Sequence, residues 1–147
     1  GGSIENAERF GRLLQPVYKM LSALWCERFA AHEMGEDYAD AWKNYCFNQV
    51  ALIAFFSLEP AAILKSFNDI SSGVRFKRGM AVEYLETRVG RKLAGQIIPL
   101  IDADTVVSEN PAVYQEMAAG KDIEVSQDAI VDARQRLAKI LRQENHK

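Results

Sequence analysis

The chain has 147 residues, 48% of them apolar and 26% charged. That is enough for one folded domain that needs neither a metal nor a disulfide, and it excludes a wholly disordered or collagen-like chain. Eighteen basic against 20 acidic residues leave a net charge of −2, so the total charge implies neither strong nucleic-acid affinity nor poor solubility.

Apolar residues recur at spacings of three and four, not two, and helices are predicted throughout. Ser3 is placed as the cap of a first helix, with Glu5 in its first turn. Ala7, Phe10, Leu14, Val17, Leu21 and Leu24 form its stripe, which continues through Trp25 and Phe29 and fades near Met34 and Gly35. Pro16 lies inside that stripe and is expected to bend or split the helix. Asp37 is placed as the cap of a second helix reaching about Phe56. Its first face carries Tyr38, Trp42, Cys46, Val50 and Ile53, and Phe47, Leu52 and Phe55 lie off that face. A helix apolar nearly all round is expected at the centre of a bundle.

Pro60 restarts a helix at a first-turn position, where its missing N–H costs nothing. Ile63, Leu64, Phe67 and Ile70 are its packing face, and Ser71–Ser72–Gly73 ends it. Residues 74–96 read as one further helix with Val82, Leu85, Val89 and Leu93 in line and an interruption expected at Gly79, while Gly90 and Gly95 weaken it or admit a close backbone. The run Ile97–Ile98–Pro99–Leu100–Ile101 reads as a short strand or an apolar connection. A short helix is expected from Ser108–Glu109–Asn110–Pro111 to Gly120. Ser126 caps a last helix lined by Ile130, Leu137 and Leu141.

The predicted fold is all-α, an irregular bundle of six or seven helices around a central apolar helix. Residues 1–3 read as a cloning remnant, 4–143 as a single helical domain and 144–147 as a frayed tail. The most apolar run, 50–58, is too short to span a bilayer, so no membrane span is expected. Cys26 and Cys46 read as two buried thiols, which favours an intracellular, cytoplasmic setting.

Charge is uneven along the chain. Residues 75–92 hold six basic and two acidic side chains, whereas residues 93–133 hold one basic and eight acidic. On one helix Arg88, Arg91 and Lys92 share a face, with no carboxylate three or four positions away to relieve their repulsion. Arg75, Lys77 and Arg78 precede them, with Phe76 interleaved. These six cations are the candidate binding residues. They suit an acidic protein or peptide surface, with nucleic acid as the alternative partner, unless the acidic stretch 102–132 folds back and neutralises them. Glu86 and Arg134 fall on apolar helix faces, which admits a pair between them across two packed helices, a bend of the helix at Gly90, or side chains that reach solvent along their stems.

Catalytic signals are sparse. His32 and His146 lack spaced Cys/His partners, so no metal site is expected, and no GxGxxG or GxxxxGK[ST] loop is present to imply a nucleotide cofactor. Glu83 with Glu86 and Asp102 with Asp104 are the only carboxylate pairs weighed for hard-cation or acid–base chemistry. The expectation is a noncatalytic interaction or regulatory domain that binds through an apolar groove flanked by the basic face. A nucleic-acid-binding helical domain and a small helical enzyme with dispersed carboxylates are the alternatives, and homo-oligomerisation is compatible with all three.

Overall fold

A computed structural model describes residues 2–103 and 105–144, with side chains over 15–103 and 105–142. Among the described residues the fold is all-α: α1 (Gly2–Met34), α2 (Glu36–Ala54), α3 (Pro60–Ser71), α4 (Arg75–Val89), α5 (Arg91–Ile101), α6 (Pro111–Ala119) and α7 (Gln127–Glu144). The chain divides into two compact units, Gly1–Tyr18 with Phe47–Thr105 and Lys19–Cys46 with Val106–Lys147. Helices α1 and α2 each contribute residues to both.

Helix α1 corrects the expected cap, since Ser3 lies inside it. Of the bend or split expected at Pro16, the split does not occur, and the helix continues through that residue. Val17, Leu21, Leu24, Trp25 and Phe29 are buried as the stripe predicts, whereas the side chains of Ala7, Phe10 and Leu14 lie outside the described residues. In α2, Glu36 and Asp37 both occupy the first turn, where their charge suits the positive helix end, so Asp37 is not the cap. Trp42, Cys46, Val50 and Ile53 are buried along the expected face. The helix stops at Ala54 instead of Phe56. The N–H groups of Phe55, Phe56 and Ser57 bond three residues back, to Leu52, Ile53 and Ala54, which tightens the chain into a corner. Phe55 and Phe56, expected in the core, are exposed there.

The first unit is built on an up-down-up run of α3, α4 and α5. Gly73, at φ +74°, turns the chain between α3 and α4. Gly90, at φ +89° and ψ 154°, ends α4 and opens α5 in a conformation that side chains with a Cβ rarely adopt. The single helix predicted over 74–96 is therefore two, broken at Gly90 and not at Gly79, which sits inside α4. The run 97–101 is helical because Leu93, Ala94, Ile97, Leu100 and Ile101, all buried, follow helical spacing.

In the second unit, Tyr114 on α6 packs tilted against Trp25 and Phe29 of α1, with ring centroids 5.7 and 5.1 Å apart, and its hydroxyl donates to the Trp25 carbonyl at 2.6 Å. Asn110 accepts from the Ala112 N–H and starts α6 ahead of Pro111. The Ser126 hydroxyl accepts from the Ala129 N–H at the start of α7. Ile130, Ala133, Leu137 and Leu141 form the buried line of α7. The tail expected to fray from Glu144 falls almost wholly outside the described residues, as does His146.

Candidate interaction surface

Because α4 and α5 are separate helices, Arg88 does not share one helical face with Arg91 and Lys92. The structure gives most of the six cations individual partners. Arg78 donates through Nε and Nη2 to Asp102 Oδ2, at 3.1 and 2.6 Å, tying the start of α4 to the end of α5. Asp102 is buried, so this charge-assisted pair closes the antiparallel α4–α5 hairpin from its open end. At the other end of α4, Arg88 Nε lies 3.2 Å from Glu59 Oε2, and its guanidinium stacks 5.4 Å from the Tyr84 ring centre. The Tyr84 hydroxyl donates to the same carboxylate oxygen. Desolvation first, and then the Glu59 charge, raise the Tyr84 phenol above its ordinary range, keeping it a donor.

Arg91 reaches Glu86 at 3.8 Å across the Gly90 break, a distance that helix spacing alone did not offer. Lys92 stands 5.6 Å from the Tyr18 ring centre. Of the carboxylates that hold Arg78, Arg88 and Arg91, Asp102 comes from the acidic stretch 102–132, whereas Glu59 and Glu86 do not.

Arg75 and Lys77 differ from Arg78, Arg88 and Arg91. Both are exposed in the first turn of α4, and neither meets a carboxylate among the described residues. Between them Phe76 is 77% exposed, and Met80, one turn on along the same line, is 61% exposed. Val74, the residue before the helix, is also exposed, and it contributes no side-chain cap. This first turn contains no acidic residue, so its two lone cations add to the positive end of the helix dipole. The candidate surface thus contracts from the six cations of the 75–92 block to Arg75, Phe76, Lys77 and Met80.

Glu86 and Arg134 each have another partner. Glu86 pairs with Arg91, and Arg134 pairs with Glu33, a bond between α7 and α1. Neither Glu86 nor Arg134 is buried, because both side chains extend past the apolar line to water.

A second buried acid is Glu27, at a position that the charge pattern does not mark. It is 3% exposed, and it accepts from Trp42 Nε1–H at 3.4 Å and from Arg136 Nε at 3.2 Å. Burial raises its carboxyl above the usual range despite the Arg136 charge and both hydrogen bonds. The signal was present in the sequence: Leu24, Trp25, Cys26, Phe29, Ala30 and Ala31 surround Glu27 on every side of one helix, leaving it no wet face. Cys26 and Cys46 are both free and buried, and burial pushes both thiols up, away from the reactive thiolate. Asp104, paired with Asp102 in the sequence reading, lies outside the described residues. Compared with protein-family models, curated proteins and solved structures, the chain shows no match.

Proposed function

We propose that this chain is a noncatalytic protein-interaction domain whose contact surface is the first turn of α4, and that its partner is an acidic segment carrying apolar side chains. One observation supports the reading above the rest: Arg75 and Lys77, both exposed and without a carboxylate partner among the described residues, flank the 77% exposed Phe76. Covering Phe76 and Met80 would supply binding free energy, on the order of 25 cal/mol per Å2 of apolar surface removed from water. Acidic side chains beside them would meet Arg75 and Lys77, fixing orientation and repelling basic competitors. Nucleic acid is less well suited. With Arg78, Arg88 and Arg91 each held by a carboxylate, half of the six cations are already engaged, which leaves a phosphate backbone a weak electrostatic footing.

The test is fluorescence anisotropy with a labelled amphipathic peptide, glutamates on one face and leucines on the other. The chain should bind this peptide and not its lysine counterpart. Arg75→Glu with Lys77→Glu should abolish binding, Phe76→Ser should weaken it, and added salt should weaken it moderately. No binding by the unaltered chain, or equal binding by the charge-reversed one, overturns the proposal.

A further inference from the structure

A second exposed apolar surface lies at the α2–α3 corner, in the same unit as α4 but at the opposite end of the α3–α4 hairpin, where Glu59 meets Arg88. Leu52, Phe55, Phe56 and Leu58 are 50%, 62%, 42% and 49% exposed within seven residues of chain. The corner turns the usual arrangement inside out. Ser57, its one polar side chain between Leu52 and Leu58, is buried, while the large apolar residues on either side face water. The Ser57 hydroxyl donates to the Ala54 carbonyl at 2.7 Å and accepts from the Glu59 N–H at 3.3 Å, and three consecutive tight-turn backbone bonds precede it. The surface is therefore held in place before anything covers it, which lowers the entropic cost of binding.

The corner is also almost free of charge. Between Lys43 and Lys65 the only charged residue is Glu59, and its carboxylate is spent on Arg88 and Tyr84. We infer that this corner is an isologous contact between two copies of the chain. A surface that meets itself across a two-fold axis must tolerate its own charge, and the charges described at this corner, Glu59 and Arg88, neutralise each other, whereas the Arg75–Lys77 turn would oppose its own image. Size sets the strength. The two phenylalanines together leave about one ring's worth of surface open, on the order of 200 Å2. The two half-exposed leucines bring the patch to roughly 400 Å2, the size of the largest apolar patch on a typical monomer, which is often functional. Standard stable interfaces bury about 800 Å2 per partner, so the dimer is weak and concentration-dependent.

Sedimentation velocity on the full chain over a dilution series tests this. The expected result is a reversible shift from monomer to dimer as concentration rises. Phe55→Glu, which places a carboxylate against its own image, should raise the dissociation constant more than about tenfold with an unchanged melting temperature, since Phe55 is exposed in the monomer. Phe76→Ser should dimerise like the unaltered chain. A monomer at every concentration, or a dimer that survives Phe55→Glu, overturns the inference. So does a chain that loses association with Phe76→Ser, which would mark a head-to-tail contact. A monomer that instead sediments with phosphatidylcholine vesicles through Phe55 would assign the corner to lipid. Acidic-peptide binding should persist in Phe55→Glu, so this inference and the proposed function fail separately.

Discussion

The Glu27 carboxylate on α1 accepts a hydrogen bond from Arg136 on α7 at 3.2 Å while also receiving the Trp42 indole N–H from α2. One buried acid thereby joins three helices of a single unit. Its carboxyl lies above the ordinary value of 4.5 because lost hydration outweighs the attraction of Arg136. The folded chain therefore holds this proton more tightly than the unfolded chain. The contribution of Glu27 to stability is greatest below the unfolded value and falls as pH rises through the raised folded one.

Glu27→Gln keeps an acceptor for Trp42 and removes the charge. Its melting temperature at neutral pH should equal or exceed that of the unaltered chain, and the difference should shrink as the medium is acidified. Glu27→Leu, which leaves the buried indole N–H without that acceptor, should lose about 1–3 kcal/mol. Thermal melts across the acid range read both. A Glu27→Gln chain several degrees less stable at neutral pH would show that the charged pair is net favourable.

Gly90 and Gly79 should respond oppositely to alanine. At Gly90, φ +89° with ψ 154° is a backbone conformation that alanine adopts only with strain, and Gly90→Ala should cost about 1–3 kcal/mol. Gly79 lies in the interior of α4, and a Cβ there would meet nothing within 4 Å. Gly79→Ala should stabilise by about 0.5–1 kcal/mol. Chemical denaturation of the two variants measures both, and a destabilising Gly79→Ala would contradict the helical assignment there.

The Arg78–Asp102 clasp is the third test. The Asp102 side chain is almost wholly buried, and Arg78 is about two-thirds covered. Asp102→Asn keeps the shape and removes the charge, and should cost about 1–2 kcal/mol, less than a fully buried pair would because water reaches part of Arg78. Hydrogen exchange should then quicken in the first turn of α4 and the last of α5 while α7 is unaffected.

Where local chemistry decides an element, the sequence made it legible. Pro60, Asn110 with Pro111, and Ser126 announce the starts of α3, α6 and α7, and the structure finds them at those boundaries. Gly79 and Gly90 look alike as letters. What separates them is the left-handed backbone at Gly90, which depends on how α4 and α5 fold back on each other. That break also undid the shared face of Arg88, Arg91 and Lys92 and let Glu86 reach Arg91. Phe55 and Phe56 carried helical core spacing, yet α2 ends one residue before them and the tight corner turns them outward. Of the candidate surface, the interleaving of Arg75, Phe76 and Lys77 was visible in the sequence. Which cations had carboxylate partners was not, because Glu59 and Asp102 are distant in sequence from the arginines they hold.

On the proposed function, the first turn of α4, and not the whole 75–92 block, receives an acidic partner. Amide chemical-shift mapping on the isotope-labelled chain, titrated with the glutamate–leucine peptide, locates the contact residue by residue. The largest perturbations should cluster at residues 74–80, with the amides of 88–92 nearly still. Perturbations centred on Arg88, Arg91 and Lys92, or on α7, would contradict it.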